Sequence, residues 1–185
     1  MQMKRLLIAI NEDPMALQVI ETAGRLAQEW PASIVVCHIM PTPVFEGIQQ
    51  ELKGQRYVDQ PFTYTQAEEQ ARAIAQAVAE GLGRFNVRWE ARGRVGDPAQ
   101  EIVALAQEVG ADLIVIGFEG LRGLGKLRAI GSVSRAVMEQ TRLPVLVVPA
   151  LRAGAEVSVR EKSATAQNEG VIIHDRRVPH IARAG

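Results

Sequence analysis

One cysteine, Cys37, is the whole thiol inventory of this chain. A lone thiol cannot close an internal disulfide, and Cys37 lies inside an apolar run, so it reads as a small buried hydrophobe. Aromatic residues are scarce, at 4%. The two tryptophans, Trp30 and Trp89, read as core anchors rather than as a platform on which bases stack. Neither sign of charge is in excess: Lys plus Arg and Asp plus Glu each count 21, and the pI lies near 6.9. That balance removes the electrostatic case for general nucleic-acid or membrane-surface binding. No apolar run nears the roughly 18–20 residues that a membrane span needs. No signal peptide is expected ahead of the first apolar run, which begins by Leu6. Internal repeats and low-complexity tracts are missing as well. The default expectation is a cytoplasmic protein.

What the chain does have is apolar residues, 47% of 185, enough to fill the core of one domain of ordinary size. They come in two alternating kinds of run. KRLLIAI, residues 4–10, is apolar on both faces and stops at polar NED, as a buried strand does. Asp13 and Pro14 then offer an N-cap and a first-turn proline, and Leu17, Ile20, Ala23, Leu26 and Ala27 recur at helical spacing. SIVVCHI, residues 33–39, is a second strand. Residues 41–62 read as irregular, with prolines at 41, 43 and 61 and glycines at 47 and 54. A helix is expected from near Thr65, with Ala71, Ile74, Ala75, Val78 and Leu82 on one face. NVRWEAR, residues 86–92, alternates apolar and polar, which predicts a strand with one solvated face at a sheet edge. Asp97-Pro98 repeats the cap-plus-proline device, with Gln100 placed for a capping box and Gly110 as the helix stop. DLIVIG is a fourth strand, Val133, Val137 and Met138 suit a short helix, and LPVLVVP is a fifth strand.

The order is thus β-α-β-α-β-α-β-(Gly loop)-α-β. It predicts an α/β fold: a five-stranded, parallel, doubly wound, Rossmann-like sheet with helices on both faces. Ligands of such sheets bind beyond the carboxyl ends of the strands, where the strand order reverses. Residues 1–150 are expected to form this domain. Residues 151–185 are polar and without a lasting period, so a flexible tail is expected, with GVII at 170–173 as the one candidate for an extra strand.

The segment GFEGLRGLGKLRAIGS, Gly117 to Ser132, invites three readings. GLRGLGK, Gly120 to Lys126, fits the P-loop pattern G-x-x-x-x-G-K, but Leu127 stands where a hydroxyl should ligate magnesium. The loop also follows the fourth strand, and no later strand ends in an acidic metal ligand. A second reading is a plain turn, its glycines giving freedom and Arg122, Lys126 and Arg128 lying in solvent. The third is phosphate binding by backbone N–H groups of the loop and of the helix that starts at Gly131-Ser132, with Ser132 as N-cap.

Gly117-Phe118-Glu119-Gly120, followed by Gly131-Ser132-Val133, resembles the G-x-x-G…G-[ST] signature of the universal stress protein family. KRLLIAINEDP resembles that family's first strand, GDPAQEIVALAQEVGADLIVIG its third helix and fourth strand, and GSVSRAVMEQTRLPVLVVP its end. The resemblance covers about residues 4–149. It implies an adenine-nucleotide α-hydrolase-like fold with ATP, with or without magnesium, between the ends of the first and fourth strands. Ala9 and Ile39 would flank the adenine. Asn11 takes the position of an Asp near base and ribose. Ile116 and Gly117 would pass close to the ribose, while Gly120, Gly131, Ser132 and Val133 would hold the phosphates. Two departures stand out: ten residues rather than nine separate Gly120 from Gly131, and Asn11 supplies no carboxylate, although Glu12 is adjacent. The resemblance also implies a homodimer formed by pairing the apolar fifth strand, Leu143 to Val148, with its copy; the alternative is that the tail at 171–173 covers that edge.

Elsewhere the chemistry is thin. Cys37 and His38 are neighbours on a strand and so point to opposite faces, and neither has metal-ligand spacing around it; His38 reads as structural. His174 and His180 fall in the tail, Glu119 reads as solvated, and no Ser-His-Asp or paired-carboxylate set can be assembled. The expectation is a nucleotide-responsive regulator of stress adaptation acting through dimerisation and an unknown regulatory protein partner, with no catalytic residue assigned. The alternatives are a dimeric interaction module that binds no nucleotide, or an enzyme that hydrolyses ATP slowly.

Overall fold

The computed structural model describes residues 3–53, 61–118 and 131–149. They lie in the first of two compact units, Met1–Leu151 and Arg152–Gly185. Residues 170–173 and the rest of the tail lie outside the described residues, as do Glu119, Gly120 and the basic residues of the glycine segment.

Five parallel strands form one sheet in the order β3-β2-β1-β4-β5. The strands are β1 (Arg5–Ile10), β2 (Ser33–Pro41), β3 (Trp89–Gly96), β4 (Leu113–Phe118) and β5 (Val145–Pro149). The helices are α1 (Ala16–Glu29), α2 (Thr42–Lys53), α3 (Tyr64–Ala79), α4 (Pro98–Glu108) and α5 (Ser132–Gln140). The sheet is covered on both faces, which is why β1 carries no polar alternation. Leu6, Ile8 and Ile10 enter one core with α1 and α3, whereas Leu7 and Ala9 enter the other with α4 and α5.

Local chemistry sets the helix ends. The expected Asp13 N-cap is corrected: its carboxylate accepts the Met15 N–H at 2.9 Å in the turn that leads into α1, but the helix begins at Ala16, two residues beyond Pro14, with Met15 at the cap position and no side-chain cap. The Asp97 carboxylate accepts the Gln100 N–H at 2.9 Å, with Pro98 in the first turn. The reciprocal capping box forms one helix earlier, at Thr63 and Gln66. Gly110 closes the turn after α4 with φ 63°, a conformation that favours glycine.

Three further sequence expectations are corrected. Residues 42–53 are helical rather than irregular. Pro43 falls in the first turn, where no N–H is needed, and Phe45 is buried against Phe62 and Tyr64, which ties the helix down. Strand β3 begins at Trp89, not Asn86, because Asn86 takes a left-handed conformation with φ 50°. Ser132 is the first residue of α5 and Gly131 its cap, so Ser132 is not the N-cap.

Helix α3 shows how close approach is encoded. Ala67, Ala71, Ala75 and Ala79 form a fully buried stripe along it. Opposite them, Gly93 on β3 comes so near that a Cβ there would lie 2.1 Å from the Glu68 carbonyl and 2.2 Å from the Arg72 amide nitrogen.

Candidate functional site

The strand order reverses between β1 and β4. β1 runs on into α1 on one face, and β4 leads towards α5 on the other, so the chain parts above their carboxyl ends and leaves a crevice. Its floor is set by register: Ala9 lies beside Ile116 across β1 and β4, and Ile10 beside His38 across β1 and β2. A cavity of about 720 Å³ opens there.

The residues singled out in the sequence meet in this cavity. Ala9, Ile39 and Ile116 line its base on the α4 and α5 side, and Asn11 stands exposed at its lip. Gly117, Gly131, Ser132 and Val133 line the wall made by the end of β4 and the start of α5. Gly120 lies outside the described residues.

Two glycines here serve different ends. A Cβ on Gly117 would sit 2.5 Å from the Met15 methyl and 3.0 Å from a Val19 methyl, so this glycine is demanded by packing within the chain. Gly131 has φ −53° and ψ 150°, which any residue adopts. Among the described residues its Cβ would meet only the Ser134 hydroxyl, at an ordinary 3.9 Å. No neighbour within that set requires a glycine at 131. What its missing side chain leaves clear is the mouth of α5.

Among the described residues that mouth is chemically open. Gly131 offers no capping side chain, and the first amide used inside the helix is that of Arg135, which donates to the Gly131 carbonyl at 3.0 Å. The N–H groups of Ser132, Val133 and Ser134 precede it and carry the partial positive charge of a helix start. The Ser134 hydroxyl is buried and donates to the Gly117 carbonyl at 3.1 Å, which fastens the helix start to the end of β4. This clamp gave no signal in the sequence, since a serine at that place in a helix reads as ordinary.

Sequence reasoning also missed Met15, Pro98 and Ile102 as lining residues, and the whole contribution of α2. His38, read as structural, does donate from Nδ1 to the Ile10 carbonyl at 3.2 Å, yet its ring also lines the cavity. Cys37 is fully buried and burial pushes its thiol up to about 12, against an opposing pull from Arg94, so it is inert as a nucleophile at neutral pH. Among the described residues no group of three metal-ligating side chains converges, and no helix is long and apolar enough to cross a membrane.

The arrangement is that of an open parallel α/β protein with a cleft at its topological switch point, one wall of which is a helix start that no described side chain caps. Residues 3–149 match the universal stress protein family, and the chain belongs to that family. Universal stress protein YxiE of Bacillus subtilis (strain 168) is 30% identical over 147 residues, covering 78% of this chain and 97% of that one. A universal stress protein solved in complex with cAMP has the same fold, with a TM-score of 0.57 at 23% identity over 80% of this chain and 98% of that chain. The universal stress protein from Archaeoglobus fulgidus in complex with dAMP has a TM-score of 0.52 at 21% identity, covering 80% of this chain and 99% of that chain.

Proposed function

We propose that this protein is a cytoplasmic regulator that binds an adenine nucleotide, ATP foremost, in the switch-point cleft and signals its presence through a dimer and a partner protein. The observation that carries the reading is the mouth of α5, where Gly131 to Ser134 line the cavity and, among the described residues, no side chain caps the helix and no neighbour packs closely on Gly131. Ile39, Ala9 and Ile116 supply apolar contacts for a base, and the N–H groups with the Ser132 hydroxyl supply donors for phosphate. Binding would act by favouring one conformation or partner surface through differential affinity. Two family relatives of the same fold, solved with cAMP and with dAMP, support adenine as the base.

Dimer formation has its own support. Of the two edge strands, β3 carries Glu90, Arg92 and Arg94, charges that discourage pairing, whereas β5 reads Val-Leu-Val-Val-Pro with no charge and three half-buried residues. Light scattering of the purified chain tests this: a monomer at micromolar concentration overturns it.

The nucleotide reading is tested by denaturing purified protein, analysing what is released, and titrating ATP calorimetrically. Nucleotide in the supernatant or saturable binding is expected. No release and no binding at millimolar ATP would leave a dimeric interaction module of the same fold, a reading that Asn11 favours because it brings no carboxylate to the lip.

A further inference from the structure

The cavity straddles the edge of the sheet, and the nucleotide reading uses only one side of it. Side chains alternate along a strand, so residues next to those of the base site face the other way. Ile10 belongs to the α1 and α3 core, and His38, two residues beyond Val36, shares that face. Gly117 opens there too, against Met15 and Val19 of the α1 side. This second lobe is walled by Met15, Val19, Ile48 and Ile74, with Val44 at its rim. Its polar groups are the imidazole of His38 and, exposed to solvent, the amide of Gln70 and the side chains of Asn11 and Glu12 at the lip.

The imidazole defines the occupant. The Ile10 carbonyl can only accept, so Nδ1 carries the proton of that bond, and a neutral ring then presents Nε2 as an acceptor. Among the described residues Nε2 has no hydrogen-bond partner and no buried side-chain nitrogen or oxygen lacks one, so Nε2 is not buried, and the ring lines the cavity. An apolar pocket with one placed acceptor suits a small apolar molecule or substituent that bears one hydrogen-bond donor.

We propose that the α1/α3 lobe is a second binding subsite, which takes an aromatic or aliphatic group carrying a hydroxyl or amine and anchors it at His38 Nε2. The subsite goes beyond the nucleotide reading and does not depend on it.

The test uses the full chain with ¹³C-labelled methyl groups, titrated with benzyl alcohol and with toluene, which lacks the donor. Benzyl alcohol should shift the methyl resonances of Met15, Ile48 and Ile74 and leave those of Ile102 and Ile116 in place. His38→Phe should weaken benzyl alcohol about three- to tenfold, the worth of one hydrogen bond, and leave toluene within about twofold. Val44→Asp, at a side chain 49% exposed and outside the packed core, should weaken both probes. Equal loss of both probes in His38→Phe, shifts on Ile102 and Ile116 instead, or no saturable shift in the lobe overturns the proposal. A parallel titration with AMP reads the other side: shifts at Ile102 and Ile116 report the nucleotide site, so either reading can fail without the other.

Discussion

At the scale of the residue, glycine divides into positions the chain needs and positions it leaves open. Gly117→Ala must displace the Met15 methyl from 2.5 Å and crowd Val19. Met15 is flexible, so the expected cost is about 1–2 kcal/mol in urea unfolding, with ligand affinity reduced as Met15 is pushed into the cleft. Gly131→Ser should do the reverse to stability. Serine fits the backbone there, and its hydroxyl can accept an N–H of the first turn, so the midpoint should hold or rise by a few tenths of a kcal/mol. The same hydroxyl occupies the donors proposed for phosphate, so ATP affinity should fall about tenfold by calorimetry. Unchanged affinity in Gly131→Ser would remove the phosphate role from the start of α5. The two glycines look alike in the sequence. Only the neighbours brought by the fold, Met15 at one and, among the described residues, no close contact at the other, tell them apart.

At the scale of the element, the strands were legible because burial on both faces writes continuous apolar runs, and the strand-helix alternation was legible because Asp97-Pro98, Gly110 and the Asp13-Pro14 turn punctuate it locally. Helix α2 was not, because its prolines and Gly47 look like loop chemistry. Its one fully buried anchor, Phe45, gains partners only when Phe62 and Tyr64 fold back on it. The candidate site followed the same division. Residues at strand ends and at the start of α5 were placed by the family resemblance, in agreement with the element order, whereas Met15, Ser134 and the α2 wall depend on tertiary contact. The α3–β3 contact is a similar product of tertiary packing. Gly93→Ala would drive a Cβ into backbone atoms of α3 at 2.1 and 2.2 Å, which no side-chain rotation relieves. A loss above about 4 kcal/mol is expected, set against a gain of about 0.5–1 kcal/mol for Gly47→Ala inside α2, where no described residue lies within reach of the added Cβ. A mild Gly93→Ala would mean that α3 can slide on the sheet.

At the scale of the whole molecule, one sheet carries two cores, and a strand such as β2 belongs to both, so loss of the sheet would open both faces at once. Cys37 reports on that coupling. Its thiol is fully buried on the α4 and α5 face, and its folded pKa stands near 12 against an ordinary 9.0. The folded state therefore favours the neutral thiol. Its contribution is complete below pH 9 and is lost as the pH climbs from 9 towards 12, where the unfolded chain releases the proton and the folded chain keeps it. Between pH 8 and pH 10 this one group should cost the wild type about 1.4 kcal/mol of unfolding free energy. Cys37→Val should remove that increment and leave the alkaline loss due to other groups. The difference between the two proteins in urea midpoint, followed across this window, checks it. If the sheet unfolds as one unit, thiol labelling of the native protein should proceed only at the rate of global opening, and labelling that outruns it would show the α4/α5 face parting from the sheet by itself.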